Sequence, residues 1–141
     1  MTFRHLLSLA FAISLSTPAL ALDTSAGTLR IEEVARGFDE PWAFGFLPGG
    51  GVLVTERGGR LILLQDGRAT RVQGLPEIEV DGQGGLLDLL IPRDFAETRE
   101  ILLTHAIAQG RGSGTALTSA RLSEDGTQLT NVTRLFEMKP G

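Results

Sequence analysis

The stretch Trp42–Val72 reads WAFGFLPGGGVLVTERGGRLILLQDGRATRV and contains four short apolar runs in succession. Glycine, proline and an Asp66-Gly67 pair separate the runs, and these residues favour turns because they adopt the backbone angles that turns need. Short apolar runs bounded by such residues are typical of β-strands. The sequence therefore predicts four consecutive strands, at Trp42–Leu47, Val52–Thr55, Leu61–Gln65 and Ala69–Val72.

The same order of strands and turns occurs a second time, and Leu86 follows Trp42 by 44 residues. The first run of the second set, Gly85–Ile91, is almost continuously apolar, which predicts a strand buried on both faces. Gly110–Gly114 is rich in glycine and predicts a mobile hairpin loop. The second set predicts strands at Gly85–Ile91, Glu100–Ala106, Thr115–Ser123 and Gln128–Phe136.

A four-stranded repeat of about 40–50 residues is the sequence mark of a β-propeller. We therefore predict an all-β fold of four-stranded antiparallel blades, with approximate blades at residues 41–75 and 85–138. The alternative is a coincidence of two four-stranded meanders in a β-sandwich. Propellers usually have about four to eight blades, so two blades cannot close a ring. Either copies of the chain associate or the chain is the N-terminal part of a larger propeller, and the uncapped ending Glu137–Gly141 favours the second reading.

Residues 1–21 have the layout of a secretory signal peptide. Arg4 supplies a basic start, Leu6–Leu15 is an apolar run, and Ala19 and Ala21 form a small-residue cleavage site. A buried N-terminal helix is the alternative. The apolar run is shorter than the ~20 residues that span a bilayer, so no membrane span is predicted. We expect an exported protein, periplasmic or secreted, with a mature propeller part at residues 22–141.

The composition excludes several classes of function. The chain has 141 residues, of which 42% are hydrophobic, and this share is enough for a core. Its net charge of −4 argues against nucleic acid as a partner, because a phosphate backbone needs a basic face. No cysteine is present, so disulfides, thiolate zinc sites and cysteine nucleophiles are excluded.

The most unusual local feature is the segment Asp81-Gly82-Gln83-Gly84-Gly85-Leu86-Leu87-Asp88, which enters the first strand of the second repeat. First strands line the central channel of a propeller, where ligands bind. Three glycines around one glutamine allow close approach of the backbone and leave the amide side chain projecting. Gln83 could offer both a donor and an acceptor to a polar ligand. A tight turn with a solvated glutamine is the alternative.

Other polar residues carry weaker hypotheses. His105 lies in the middle of a predicted strand, without a second histidine for a metal pair, and a packed structural role is favoured. Glu56 and Arg57 are neighbours on a strand, so their side chains point to opposite faces and should pair with other elements or face solvent. Acidic residues alternate at Glu77, Glu79 and Asp81, which places three carboxylates on one side of an extended segment. This pattern favours a solvent-exposed acidic edge over a calcium site.

Three segments together resemble the soluble aldose (glucose/sorbosone) dehydrogenase family. These segments are Phe38–Gly50, Leu53–Leu61 and Gly82–Asp88, and the last is followed by Asp94-Phe95. They come in the order and spacing of the family, and the resemblance covers about residues 29–138. It implies a six-bladed, usually periplasmic propeller that binds pyrroloquinoline quinone (PQQ) and calcium over its channel.

The resemblance also implies a function. Such enzymes oxidise the C1 hydroxyl of aldoses to lactones: a histidine base takes the proton, hydride passes to the quinone, and an external acceptor takes the electrons. Gln83 matches the glutamine of the family's Gly-Gln-x-Gly-Leu motif, which lies at the active site. The family's catalytic histidine, and the residues that hold the quinone and calcium, belong to later segments, so no catalytic or metal residue is assigned here. We expect an N-terminal part that is inactive as an isolated chain; the alternative is a non-enzymatic, secreted propeller module for binding or scaffolding.

Overall fold

The computed structural model describes residues 20–139, which divide into two units between Arg36 and Gly37. In the first unit, strands β1 (Leu20–Thr24) and β2 (Gly27–Ile31) form an antiparallel hairpin. The Thr24 hydroxyl closes its turn by donating a hydrogen bond to the Gly27 carbonyl at 2.7 Å. The predicted signal peptide lies outside the described residues, except for positions 20 and 21 at the start of β1.

The second unit begins with a four-stranded antiparallel sheet in which sequence neighbours are also spatial neighbours. Its last hairpin turns at Asp66-Gly67, where both residues have positive φ, 51° and 72°. Positive φ at both central residues characterises the two-residue turn that an Asp-Gly pair favours. The four predicted strands are confirmed as β3 (Pro41–Phe46), β4 (Val52–Glu56), β5 (Arg60–Gln65) and β6 (Arg68–Val72).

A second four-stranded antiparallel sheet follows, in the spatial order β10-β9-β8-β7. A short helix, α1 (Phe95–Thr98), follows the turn after its first strand and buries Phe95. The four predicted strands of the second set are confirmed as β7 (Leu86–Leu90), β8 (Glu100–Gln109), β9 (Gly112–Leu122) and β10 (Leu129–Glu137).

The glycine-rich segment Gly110–Gly114 differs from its prediction as a loop. Only Gly110 and Arg111 form the turn, because Gly112 pairs with Gln109 and Gly114 pairs with Ile107 in the β8–β9 ladder. A Cβ at position 114 would overlap the Gln109 side chain, so glycine here makes room for a neighbour on the sheet. Glycine content alone does not distinguish a loop from a strand that a side chain crosses closely.

The prediction that Gly85–Ile91 is buried on both faces was also wrong. Leu86 and Leu89 are buried, whereas Asp88 is exposed and Leu90 is 56% exposed. β7 is the edge strand of its sheet and packs against β3 and β4, and no other described segment covers the side chain of Leu90. At Gly45 of β3 a Cβ would lie 2.9 Å from a side-chain carbon of Ile91, so glycine permits the close approach of these chain segments.

The two sheets share one core and are joined by polar bonds as well. Thr55, buried on β4, donates a hydrogen bond to the Leu87 carbonyl at 2.6 Å. Farther out, the Leu129 amide donates to the Gln73 carbonyl at 2.8 Å. Twelve buried residues form the apolar core, from both sheets and α1: Leu53, Leu61, Leu63, Val72, Leu86, Leu89, Phe95, Ile101, Leu103, Ala120, Leu122 and Leu129.

A row of aromatic side chains on β3 remains exposed. Trp42, Phe44 and Phe46 are each about half exposed or more, and the Phe44 and Phe46 rings meet edge to face at 5.5 Å between centroids. Gly45, between the two phenylalanines, points to Ile91, so the aromatic rings lie on the opposite face from the second sheet. In the described part of the chain, no helix is long and apolar enough to cross a membrane.

Candidate functional site

The segment Asp81–Gly85 forms a tight turn that leads directly into β7. The Gly84 amide donates to the Asp81 carbonyl at 2.7 Å, and Gly82 has a φ of 53°. Gln83 lies at the tip of this turn with its side chain exposed. The structure thus has a tight turn with an exposed glutamine, a geometry that is common to the ligand-binding and the solvated-turn alternatives. We call Asp81–Gly85 the Gln83 loop.

The Gln83 loop is held by Arg57, which directly follows β4. One guanidinium nitrogen of Arg57 donates to two carbonyl oxygens on either side of Gln83, that of Gly82 at 3.0 Å and that of Gly84 at 3.1 Å. The other terminal nitrogen pairs with the Glu40 carboxylate at 2.7 Å. Arg57 therefore connects the first sheet to the turn that begins the second. Strand alternation gave no signal for this contact, because its partners come 25 and 27 residues later in the chain.

Gly85 completes this connection through the backbone. The Leu86 amide donates to the Arg57 carbonyl at 3.0 Å, and the Ala106 amide donates to the Gly85 carbonyl at 2.8 Å. A Cβ at position 85 would overlap the Arg57 carbonyl oxygen and would lie 2.8 Å from Arg57 Cγ. Glycine is required here because two backbone segments approach more closely than any side chain allows.

Glu56, the neighbour of Arg57, points the other way, as strand geometry predicts. Its side chain is buried and pairs with Arg60, which also contacts Asp39 at 3.1 Å. The Glu56 carboxylate accepts a further hydrogen bond from the Asp39 amide at 2.7 Å. The prediction that Glu56 and Arg57 pair with other elements is confirmed: Glu56 binds the segment before β3, and Arg57 binds the Gln83 loop.

His105 is fully buried in the second sheet, as the structural reading favoured. Its Nδ1 lies 3.2 Å from the Ala106 carbonyl oxygen, and its Nε2 lies 2.9 Å from the Thr118 hydroxyl. A carbonyl only accepts, so Nδ1 carries the proton and Nε2 accepts from the hydroxyl. Burial lowers the pKa of His105 from its ordinary value of 6.5, the bond to Ala106 opposes the shift, and the positive charge of Arg134 adds to it.

This pKa shift predicts an acid-dependent loss of stability. The unfolded chain binds a proton at His105 as pH falls below 6.5, whereas the folded chain resists protonation. The free energy of unfolding should therefore fall with pH, by at most about 1.4 kcal/mol per pH unit from this residue. We expect urea unfolding between about pH 7.5 and 5.5 to show this slope. His105→Gln should remove the contribution of His105 to the slope of unfolding free energy against pH. Identical slopes in the native chain and the variant would contradict the lowered pKa of His105.

The acids Glu77, Glu79 and Asp81 lie on the segment that precedes β7. Ile78, between two of them, packs against the apolar core, and the Glu79 amide donates to the Ala106 carbonyl at 3.0 Å. Within residues 20–139, no three or more histidine or acidic side chains converge as a metal site would require. The Asp81 carbonyl, rather than a group of carboxylates, contributes to the Gln83 loop.

Taken together, two successive four-stranded antiparallel meanders with their first strands side by side define two neighbouring blades of a β-propeller. Comparison with known proteins agrees with this class. The chain belongs to the glucose/sorbosone dehydrogenase family, whose sequence profile matches residues 38–141. The predicted all-β propeller fold and the predicted family are both confirmed.

Individual relatives extend this finding. The aldose sugar dehydrogenase YliI of Escherichia coli K12 is 36% identical over 134 residues, which cover 92% of this chain and 36% of the relative. The apo crystal structure of the soluble aldose sugar dehydrogenase of E. coli superposes with a TM-score of 0.70 at 39% identity, covering 73% of this chain and 31% of that one.

A third relative was solved with its cofactor. The PQQ-bound aldose sugar dehydrogenase of Streptomyces coelicolor superposes with a TM-score of 0.69 at 26% identity, covering 78% of this chain and 34% of the other. The chain therefore spans about a third of the length of the relatives it matches. The Gln83 loop and its Arg57 contact both fall within the matched family region, residues 38–141.

Proposed function

We propose that this chain is the N-terminal part of a PQQ-dependent sugar dehydrogenase that oxidises the C1 hydroxyl of aldoses to lactones. The observation that carries the proposal is the family membership together with the exposed Gln83 amide at the start of the second blade. A family relative holds PQQ, which supports a quinone as the cofactor. The layout of residues 1–21 supports export to the periplasm or to the medium.

The chemistry of the Gln83 loop fits a quinone or a sugar. An amide side chain donates through its nitrogen and accepts through its oxygen, so it can bind a quinone carbonyl or a sugar hydroxyl. Around the Cα of Gly82 there is open space, since a Cβ placed there would meet no atom within 4 Å. Calcium is implied by the family resemblance, and residues 20–139 offer no cluster of acids for it.

In this proposal, oxidation removes a hydride from C1 and a proton from its hydroxyl. PQQ supplies the two-electron acceptor when it is bound. Gln83 binds and orients an oxygen of the cofactor or of the sugar, and the hydrogen bonds of the turn hold its backbone. The proton acceptor is assigned to a part of the enzyme that follows this chain in the family, and an external electron acceptor completes the cycle.

The isolated chain is expected to be inactive. We expect no dye reduction above a cofactor-only control when the purified chain is mixed with PQQ, calcium and glucose. The reason is that the chain spans about a third of its relatives, so most of the groups that surround the cofactor are missing. Turnover that depends on the chain would contradict this expectation, and circular dichroism should first verify that the sample is folded.

A chimaera tests the function itself. Residues 38–139 of this chain would replace the matching segment of the E. coli aldose sugar dehydrogenase, which lies within the region of similarity. We expect the purified chimaera to reduce dye in the presence of PQQ, calcium and an aldose. The native E. coli enzyme serves as the positive control. A chimaera that is folded but inactive would contradict the proposal and would favour a non-enzymatic module.

A further inference from the structure

We propose that Arg57 is a positioning residue, which fixes the direction of the Gln83 amide by holding the two backbone carbonyls on either side of it. The inference deepens the proposed function, because it names how the same site is kept in shape. Arg57 itself contacts no ligand in this proposal. It acts through the Gln83 loop, whose glycines would otherwise leave the amide free to move.

Arg57 is itself firmly held. Its backbone amide donates to the Glu40 carbonyl at 3.0 Å, and its guanidinium pairs with the Glu40 carboxylate at 2.7 Å. Only 19% of the Arg57 side chain is exposed, so little freedom of movement remains. Glu40 has a φ of 50°, an uncommon value for a residue with a side chain, and both its backbone carbonyl and its carboxylate contact Arg57.

The planar guanidinium suits this task better than an ammonium group would. It presents five donors in a rigid fork, so it can bind the Glu40 carboxylate with one nitrogen and the loop carbonyls with another. Hydrogen bonds from a charged donor are stronger than those from a neutral donor. The cost of ordering a loop with glycines at positions 82, 84 and 85 is offset in this way.

The direction of the Gln83 backbone follows from these bonds. In a trans peptide the carbonyl and the N–H point in opposite directions. The Gly82 carbonyl points to Arg57, so the N–H of Gln83 points away from it. Among the described residues this N–H donates no hydrogen bond, and the Gln83 side chain is exposed. Arg57 therefore keeps one backbone donor and one side-chain amide available together at the tip of the loop.

The test uses the full chain and follows Gln83 directly. Arg57→Gln should speed amide hydrogen exchange at Gly84 and Leu86 by about tenfold or more, because two charge-assisted bonds are lost. The NMR order parameters of the Gln83 backbone and side-chain amides should fall, while those of the β5 amides should stay unchanged. Arg57→Lys keeps the charge without the fork and should restore the order only in part. Arg71→Gln, an exposed arginine of β6, is the matched control and should change nothing.

A second variant keeps the proposal testable if Arg57→Gln does not fold. Glu40→Gln alters a carboxylate that is 57% exposed and removes the anionic partner of Arg57, so the Gln83 loop should loosen to a smaller extent. Dye reduction by the chimaera with the E. coli enzyme separates this inference from the proposed function. If the loop loosens in the variants of the full chain but the folded chimaera reduces no dye, the positioning role stands and the proposed function fails. Unchanged NMR order parameters at Gln83 in Arg57→Gln, Arg57→Lys and Glu40→Gln would overturn the positioning role.

Discussion

Gly85→Ala is expected to lower the free energy of unfolding by about 3 kcal/mol, because no space exists for the added methyl group. The new Cβ would overlap the Arg57 carbonyl oxygen and crowd Arg57 Cγ at 2.8 Å. Relief requires the backbone of Gly85 to move away from Arg57. That movement weakens the bond from Leu86 to Arg57, which joins the two sheets, and the bond from Ala106 to Gly85 within the second sheet.

Urea unfolding followed by circular dichroism measures this effect. Gly58→Ala is the matched control, because a Cβ at position 58 would meet no atom within 4 Å. Its free energy of unfolding should stay within about 0.5 kcal/mol of that of the native chain. If Gly85→Ala lowered the free energy of unfolding no more than Gly58→Ala does, the close approach of the two backbone segments at Arg57 would be wrong.

Gln83→Ala in the chimaera is expected to lower kcat/KM for aldose oxidation by about 100-fold. The amide is the group of the Gln83 loop that can both donate to and accept from a bound oxygen, and alanine offers neither. The turn itself should survive, since the bonds of the loop run through its carbonyls and the Gly84 amide rather than through the Gln83 side chain. Dye-reduction kinetics measure the loss of activity, and thermal unfolding verifies that the variant is folded.

Gln65→Ala is the control for this substitution. Gln65 is also an exposed glutamine beside a tight turn, at the end of β5, but it lies outside the Gln83 loop. Its variant should keep kcat/KM within about twofold of the parent chimaera, as expected for a surface change that leaves the transition state untouched. Equal activity of the Gln83 and Gln65 variants would remove Gln83 from the site.

Local chemistry explains why the strands were predictable. Each predicted strand is a short apolar run that ends at residues with strong turn preferences, such as Asp66-Gly67, and the structure has eight strands within one to three residues of the predicted bounds. The tight turn at Gly82–Gly84 was also predictable from the sequence, because glycine beside a polar residue favours such geometry. These features depend on neighbours in the sequence, which a single chain displays directly.

Contacts between distant segments were not predictable in the same way. Arg57 reaches carbonyls of Gly82 and Gly84, and backbone carbonyls leave no trace in residue identity. The glycine at position 114 predicts a loop from the sequence, but in the structure it lies in a strand and makes room for the Gln109 side chain. Likewise, the apolar run at Leu86–Leu90 gave no sign that β7 is an edge strand with Leu90 exposed. In each case the deciding partner is set by tertiary packing.

The crystal structure of the chimaera with PQQ bound would test the placement of Gln83 most directly. We expect the side-chain amide of Gln83 to lie within hydrogen-bond distance, about 3.2 Å or less, of an oxygen of the cofactor or of a bound sugar. Arg57 should keep its bonds to the two carbonyls of the Gln83 loop in the same structure. A Gln83 side chain that points into solvent, with the cofactor bound elsewhere, would contradict the assignment of this loop to the active site.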